Sequence, residues 1–286
     1  MRHAVLGAGG IGGLIAAALA RSGAEVALLL RPESLAAYPG RLRVESVVLG
    51  DFEVDVLASA ALDSGVDVVW VATKATQLDH ALSLAPPEVV GEGILVPLLN
   101  GVDHVEMLRR RYPRVIPAAI RVESERTGTG LIRQKSPFLR VDMAGAESVQ
   151  AALREAGIDC HARSGEATLL WEKLVFLAPI ALATAAFDAA LGDARNTAAF
   201  VGCRAEAAAA ARAAGATIDL DLIRSLHTAA PAGMQSSMQK DLAAGRAPEL
   251  AAIAGPILRL GQEHRFPTNS TQNLVDRITA RMPEAG

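Results

Sequence analysis

Short apolar runs alternate with amphipathic stretches along the first half of the chain. The stretch Ile11–Arg21 is predicted to be a helix ended by Gly23, and Arg41–Leu57 is extended but broken at Gly50. The run Asp67–Ala72 is apolar after its first residue, as expected of a parallel strand buried on both faces. This alternation predicts a doubly wound α/β sheet, with further strands at His3–Leu6, Glu25–Leu30, Gly93–Leu99 and Val115–Val122.

The pattern changes after about Gly165, where strand-like runs give way to segments rich in alanine and leucine. Both residues favour helix, and the apolar positions recur at helical spacing. The sequence therefore predicts two domains, an α/β domain over residues 1–165 and an all-α domain over residues 166–286. The helices predicted in the second domain are Trp171–Ala190, Arg195–Ala214, Ala247–Glu263 and Thr268–Arg281.

Composition narrows the classes of function. Of the 286 residues, 51% are hydrophobic and 21% charged, so the chain can bury a core of its own. A net charge of −3 and an aromatic content of 3% argue against a nucleic-acid partner. The histidines and the two cysteines show no metal-ligand or CxxC spacing, so no metal site is indicated. Outside the glycine-interrupted N-terminal stretch there is no run of about 18 apolar residues, which predicts a cytoplasmic protein without a membrane segment.

The N-terminal stretch reads Gly-Ala-Gly-Gly-Ile-Gly from position 7 and fits the dinucleotide-binding fingerprint GxGxxG. A predicted strand precedes it and a predicted helix follows, which is the context that the fingerprint requires. Gly7 would permit the tight turn, Gly9 would let a pyrophosphate approach the backbone, and Gly12 would let helix and strand pack closely. The N–H groups at the start of the helix, including those of Gly10 and Ile11, would face the phosphates. An ordinary glycine turn is the alternative.

The residue that selects the cofactor is expected about 20 residues beyond the fingerprint, at the end of the second strand. An acidic residue there would bind the ribose 2′-hydroxyl of NAD, whereas an arginine can pair with the 2′-phosphate of NADP. This chain has Arg31, 19 residues after Gly12, and then Glu33. Arg31 favours NADP as the cofactor, and Glu33 is the weaker signal for NAD.

Two polar residues directly follow predicted strands. In an open α/β sheet, ligands bind outside the carboxyl ends of the strands. Lys74 comes just after Asp67–Ala72, and Asn100 comes just after Gly93–Leu99. We interpret both as binding residues, with the Asn100 amide able to hold a substrate carbonyl or the nicotinamide. A solvated lysine and an ordinary Asn-Gly turn are the alternatives.

Together with motifs in the helical half, these residues resemble the ketopantoate reductase (2-dehydropantoate 2-reductase) family over essentially the whole chain. No single segment is decisive, and the order and spacing of the set carry the resemblance. The matching segments are GAGGIGG at Gly7–Gly13, Arg31, the K-x-x-Q of Lys74–Gln77, the N-G of Asn100–Gly101, the W-x-K-L of Trp171–Leu174, the S-S-M-x-x-D of Ser236–Asp241, and Glu249.

The resemblance implies an NADP-binding Rossmann domain followed by a helical substrate domain, with the active site in the cleft between them. Lys173 would be the general acid that protonates the carbonyl oxygen during hydride transfer, because the developing alkoxide needs a nearby cation and a proton. Glu249 would hold a polar substrate group or orient Lys173, and Ser237 would hold the substrate carboxylate. Asn100 would join the catalytic set, and Lys74 would lie near the nicotinamide and the substrate.

The implied partner is a small-molecule substrate, with ketopantoate as the leading candidate and pantothenate biosynthesis as the implied pathway. A homodimer is one arrangement that the sequence leaves open. The alternative for Lys173 is a solvated lysine on an amphipathic helix. For Glu249 it is an acid that stabilises a helix N-terminus just after Pro248.

One departure from the family pattern bears on the substrate. The family continues W-x-K-L-x-x-N-x-x-x-N, whereas this chain has Leu177 and Ala181 in place of the two asparagines. Spacings of four and eight residues put both on the helical face of Lys173. If they line the cleft, a substrate hydroxyl loses its hydrogen bonds, and a more apolar ketone becomes a second candidate. A catalytically weak NADP-binding sensor is a third hypothesis, which the retention of Lys173, Ser237 and Glu249 disfavours.

Overall fold

The computed structural model of the protein describes residues 1–282. The strands are, in chain order, β1 Arg2–Leu6, β2 Glu25–Leu29, β3 Arg41–Ser46, β4 Phe52–Asp55, β5 Leu57–Ser59, β6 Val68–Val71, β7 Ile94–Pro97, β8 Ala118–Arg121, β9 Ser124–Gly128, β10 Leu131–Gln134, β11 Arg140–Met143 and β12 Asp159–Ala162.

The helices are, in chain order, α1 Gly10–Arg21, α2 Pro32–Ala36, α3 Leu78–Leu82, α4 Pro87–Val90, α5 His104–Arg109, α6 Glu147–Glu155, α7 Glu166–Phe187, α8 Leu191–Ala194, α9 Ala198–Ala213, α10 Leu220–Ala229, α11 Ser237–Ala243, α12 Leu250–His264 and α13 Asn269–Thr279. A short 3₁₀ helix, Ala75–Gln77, precedes α3.

The chain divides into two compact units. One unit comprises Met1–Leu99 and His104–Ser164, and the other comprises Asn100–Asp103 and the chain from Gly165 onward. The division falls beside the expected boundary at residue 165, except that the short segment Asn100–Asp103 belongs with the helical unit.

Five strands of the first unit form a parallel sheet in the order β5-β2-β1-β6-β7. Central β1 pairs with β2 on one side and with β6 on the other, so that Leu6 lies opposite both Leu29 and Val71. Every residue of β6 is buried, including Trp70. The strand order changes direction between β1 and β6, and such a switch point is where open α/β sheets bind ligands. The predicted doubly wound sheet is confirmed.

Two smaller sheets, with orders β4-β3-β10-β9 and β12-β11-β8, complete the first unit. The predicted strand Val115–Val122 is wrong as a continuous member of the parallel sheet. Only Val115 bridges to Leu95 of β7, whereas β8 pairs antiparallel with β11 in a different sheet. Pro117 separates the two parts, and proline cannot donate to a sheet ladder, so the chain leaves one sheet before joining the other.

The second unit is helical throughout the part that the structure describes, as the sequence predicts. Helix α7 lies at its centre and packs against α9, α11, α12 and α13. Three of its helices, α8, α10 and α11, were not predicted. With four, ten and seven residues, they are too short to show a clear helical period in the sequence.

By length and composition α7 could cross a membrane, with a mean hydropathy of 1.6 over its most apolar window. Its apolar residues do not form an unbroken run in the sequence, because Glu172 and Lys173 interrupt them. In the structure 78% of that window is buried inside the protein. The apolar composition of α7 therefore reflects its place in the core of the helical unit.

Both cysteines are buried free thiols. Burial raises the pKa of Cys160 to about 11 and that of Cys203 to about 12, so both thiols stay protonated at neutral pH. They act as small apolar core residues, in keeping with the absence of any disulfide signal in the sequence.

A buried histidine in the parallel sheet makes the stability of the fold depend on pH. The Nδ1 atom of His3 accepts a hydrogen bond from Nε1 of Trp70 at 3.2 Å, and the side chain is fully buried. Burial, followed by the nearby N-terminal amine, lowers the pKa of His3 from 6.5 to about 4. The folded protein therefore holds His3 neutral over a range in which the unfolded chain is protonated.

We expect the free energy of unfolding to be unaffected by His3 above pH 6.5 and to fall between pH 6.5 and about 4. A shift of this size corresponds to a loss of about 3 kcal/mol. Urea unfolding across this range should show a shallower pH slope for His3→Gln than for the wild type. The same substitution at the exposed His264 should leave the slope unchanged. Equal slopes for wild type and His3→Gln would contradict the assignment.

Candidate active site

The glycine turn lies at the carboxyl end of β1, next to the switch point. Gly7 has a φ of +96°, a conformation that residues with a side chain rarely adopt. A Cβ atom built on Gly12 would overlap the carbonyl oxygen of Gly7, so the turn and the first turn of α1 pack with no room for a side chain. The tight turn and the close packing therefore have the steric basis that the fingerprint predicts.

The other two glycines of the turn differ in their surroundings. A Cβ atom on Gly9 would meet nothing within 4 Å, so the space on the side-chain side of this residue is open. A Cβ atom on Gly10 would overlap the backbone of Ser124, whose hydroxyl donates to the carbonyl oxygen of Gly10 at 2.8 Å. The sequence predicts a cofactor role for Gly10, but its lack of a side chain is required by packing against β9. No sequence signal pointed to Ser124.

The start of α1 offers backbone donors toward the open space. Gly9 caps the helix without a side-chain hydrogen bond, and Gly13 N–H is the donor that returns to the Gly9 carbonyl oxygen at 2.9 Å. The N–H groups of Gly10, Ile11 and Gly12 precede that donor and so have no acceptor within the helix. Such a helix start suits a phosphate group.

Two predicted cationic residues lie at the same carboxyl edge of the parallel sheet. Arg31 is exposed and occupies the N-cap position of α2 without a side-chain capping bond, two residues beyond the end of β2. Lys74 is half-buried and occupies the N-cap position of the short 3₁₀ helix that follows β6. They therefore lie beyond strands on opposite sides of β1, which is the arrangement expected of residues that contact the two ends of a dinucleotide.

A third polar residue lies at this edge of the sheet. This residue, Thr73, was not predicted from the sequence. Its hydroxyl is buried and has no hydrogen-bond partner among the residues that the structure describes. A Cβ atom on Gly7 would come within 2.9 Å of the Thr73 methyl carbon, so the two residues are in close contact. An orphaned donor beside an open glycine turn fits a ligand with oxygen acceptors, as a dinucleotide has.

Asn100 joins the helical unit rather than the sheet that precedes it. Its Nδ2 donates to Oε2 of Glu249 at 3.1 Å, across 149 residues of sequence. A Cβ atom on Gly101 would overlap the carbonyl oxygen of Ala252 in α12, and Asp103 forms a bidentate ion pair with Arg259 at 2.6 and 2.8 Å. The segment is therefore fastened along α12, and two of the predicted catalytic residues are in contact.

Glu249 occupies the N-cap position of α12, directly after Pro248, but makes no side-chain capping bond. Its carboxylate accepts from Asn100 instead. The alternative of a helix-stabilising acid explains the position of Glu249 in the sequence but leaves the contact with Asn100 unexplained.

Lys173 is half-buried on the second turn of α7. Leu177, one turn further, is half-buried against the core of the helical unit. Ala181 is 1% exposed and belongs to that core. The expectation that both replaced positions line open space is therefore wrong for Ala181, because α7 is covered on most sides by other helices.

Ser237 is the exposed first residue of α11. Its neighbour Ser236 is buried, caps the helix through Gln239 N–H, and bonds the Thr184 hydroxyl at 2.7 Å. Of the two adjacent serines, Ser236 thus has a structural role and Ser237 is the one available to a ligand. Because Thr184 lies 11 residues beyond Lys173, α11 begins about 16 Å further along α7.

A doubly wound sheet with a glycine turn at its switch point, followed by a helical unit that carries Lys173, Asn100 and Glu249, is typical of two-domain nucleotide-dependent oxidoreductases. The family model described as ketopantoate reductase PanE/ApbA matches residues 3–144, and its C-terminal counterpart matches residues 167–281. The chain therefore belongs to the ketopantoate reductase PanE/ApbA family of oxidoreductases.

Individual relatives agree with this assignment. The 2-dehydropantoate 2-reductase of Caulobacter vibrioides is 28% identical over 97% of this chain and 98% of its own length. A PanE/ApbA family ketopantoate reductase from Ralstonia eutropha has a crystal structure with a TM-score of 0.89 and 26% identity, over 98% of both chains. D-mandelate dehydrogenase, solved with NADH and anilino(oxo)acetate, shares the fold with a TM-score of 0.87 at 20% identity, over 98% of both chains.

Proposed function

We propose that the protein is an NADPH-dependent reductase of 2-oxo acids, with ketopantoate as the leading substrate. The contact between the Asn100 amide and the Glu249 carboxylate carries the proposal, because it assembles two polar residues that neither core packing nor helix capping requires. Family membership and the glycine turn support the nicotinamide cofactor. The position of Arg31 supports the phosphorylated form.

The nicotinamide cofactor, when bound, supplies the hydride. Lys173 protonates the carbonyl oxygen, since hydride addition at the carbon leaves negative charge on that oxygen and an ammonium both stabilises the charge and donates a proton. The family resemblance assigns Ser237 to the substrate carboxylate, but the Ser236–Thr184 bond places the start of α11 about 16 Å along α7 from Lys173, so the structure does not bring Ser237 beside the proton donor. Glu249 accepts from a substrate hydroxyl or orients the Lys173 ammonium, and Asn100 fixes the Glu249 carboxylate.

In the first unit, the glycine turn and the start of α1 bind the pyrophosphate. Arg31 pairs with the 2′-phosphate, and Lys74 lies on the nicotinamide side of the sheet. The two units therefore divide the work, with cofactor binding on the sheet and proton donation on α7.

The test is NADPH oxidation by the purified protein against a panel of 2-oxo acids that includes ketopantoate. We expect turnover of at least one 2-oxo acid at a rate well above that of the cofactor alone. Binding of NADPH without turnover of any member of the panel would reject the reductase in favour of a cofactor-binding sensor.

Cofactor preference is tested at Arg31. Arg31→Ala should raise the KM for NADPH by roughly 10- to 100-fold, because a charge-assisted bond to the 2′-phosphate is lost. NADH lacks that phosphate and is the control within the same variant, so its KM should change little. An equal change for the two cofactors would contradict the assignment of Arg31.

The half-buried Leu177 favours a second candidate, a reductase of 2-oxo acids with apolar side chains. Ketopantoate carries a hydroxyl that an asparagine at position 177 could bond and a leucine cannot. D-mandelate dehydrogenase has the same fold, and mandelate carries an apolar aromatic side chain. Comparison of kcat/KM for ketopantoate with that for an apolar 2-oxo acid separates the two candidates.

We expect Leu177→Asn to shift the ratio of these kcat/KM values toward ketopantoate by roughly tenfold, because the amide supplies a partner for the hydroxyl. Leu177→Ala removes the same apolar bulk without adding an amide and should not produce the shift. Position 181 is unsuited to this test, since a buried asparagine there would cost about 1–3 kcal/mol of stability. A strong preference of the wild type for ketopantoate would show that another residue bonds the hydroxyl.

A further inference from the structure

The unpartnered hydroxyl of Thr73 lies at the centre of the switch point. Thr73 is the second residue after the end of β6, and Gly7 is the first residue after β1. Ala72 N–H donates to the Leu6 carbonyl oxygen at 3.0 Å, which carries the β1–β6 pairing to the residue directly before each of the two. The close contact between the Thr73 methyl group and Gly7 therefore spans the carboxyl ends of the two central strands.

A buried hydroxyl without a partner costs stability in the ligand-free protein. Native proteins leave few such groups, and those that occur call for an explanation. A valine would fill the same volume with the same contact to Gly7 and without that cost. No contact within the described protein accounts for the hydroxyl, so its role is expected to involve a ligand.

The position of Thr73 specifies which part of a dinucleotide can meet it. Arg31 lies beyond β2, on one side of β1, and Thr73 lies beyond β6, on the other. A dinucleotide with its 2′-phosphate at Arg31 crosses the glycine turn through its pyrophosphate. Thr73 then adjoins the pyrophosphate and the ribose on the nicotinamide side.

We propose that Thr73 is a cofactor-binding residue whose hydroxyl bonds the oxygen atoms of the pyrophosphate or of the ribose next to the nicotinamide. The inference rests on the proposed function only in requiring that a dinucleotide binds. The methyl group packs against the glycine turn. The hydroxyl, which has no partner in the ligand-free protein, gains a hydrogen bond when the ligand binds. Cofactor binding thus removes the free-energy cost of the unpaired Thr73 hydroxyl in the ligand-free protein.

The experiment measures binding without substrate and without turnover. Dissociation constants are determined by calorimetry for NADPH, for ADP-ribose and for 2′,5′-ADP, a fragment without the pyrophosphate and second ribose. Thermal unfolding of the ligand-free chain is recorded in parallel. The variants are Thr73→Val, Thr73→Ser, and the control Thr76→Val at an exposed threonine in the 3₁₀ helix that follows.

Thr73→Val should raise the Kd for NADPH and for ADP-ribose by about 3- to 10-fold, the value of one hydrogen bond. It should leave the Kd for 2′,5′-ADP unchanged and the Tm of the ligand-free protein unchanged or higher. Thr73→Ser keeps the hydroxyl and should keep the affinity. Thr76→Val should alter neither quantity.

Wild-type affinity for ADP-ribose in Thr73→Val would overturn the proposal. So would an equal loss of 2′,5′-ADP affinity, which would indicate a distorted loop, or a lower Tm, which would show that the hydroxyl has a protein partner. A wild type that binds no dinucleotide would overturn this inference and the proposed function together. Failure to reduce any 2-oxo acid would reject only the proposed function, because the binding measurements contain no substrate.

Discussion

Lys173→Ala should lower kcat by about 10²- to 10⁴-fold on the substrate that the panel identifies, which is the usual contribution of a general acid. The dissociation constant for NADPH should change little, because the residues assigned to its phosphates, the glycine turn and Arg31, belong to the other unit. The expected signature is thus a loss of turnover with an intact cofactor site. Single-turnover measurement of NADPH oxidation, with cofactor binding determined separately, would show it.

A second variant separates the two contributions of Lys173. Arginine keeps a positive charge but holds its proton too tightly to be an acid at neutral pH. Lys173→Arg should therefore recover part of the activity through charge stabilisation and should fall short of the wild type. Arg224→Ala is the control, since Arg224 is an exposed cation of the helical unit that pairs with Asp221 on α10. Near-normal turnover in Lys173→Ala would mean that Lys173 is only a solvated helix residue.

The glycine turn provides the second large effect, because two alanine substitutions three residues apart should both weaken cofactor binding but only one should lower the stability. Gly12→Ala forces a Cβ atom into the carbonyl oxygen of Gly7, and backbone on both sides must move. We expect a loss of about 3 kcal/mol in the free energy of unfolding, near the upper end for an overpacked site. Loss of cofactor binding should follow from the displaced turn.

Gly9→Ala should have almost no effect on folding and a large effect on binding. The φ of Gly9 is −79°, which alanine adopts readily, and a Cβ atom there meets nothing within 4 Å. Stability should stay within about 1 kcal/mol of the wild type. The methyl group would project into the space that a pyrophosphate needs, so the Kd for NADPH should rise roughly tenfold or more. Unchanged affinity in Gly9→Ala would place the phosphates elsewhere.

The sequence alone determined those features that depend on neighbouring residues. Apolar runs predict β1, β2, β6 and β7, and the helical period predicts α1 and the long helices of the second unit, because periodic burial follows from local geometry. The glycine spacing predicts the turn at Gly7 and the packing at Gly12 for the same reason. The order of motifs along the chain was sufficient for the family.

Only the tertiary structure decided which distant residues meet. Nothing near Asn100 in the sequence indicates that it leaves the sheet for α12 and bonds Glu249, 149 residues away. Nothing around Ala181 indicates whether its face of α7 is open or covered, and the unpaired state of the Thr73 hydroxyl depends on every group that surrounds it. The local sequence determines the spacing of apolar residues in each helix or strand. Which other element covers each face depends on how the rest of the chain packs.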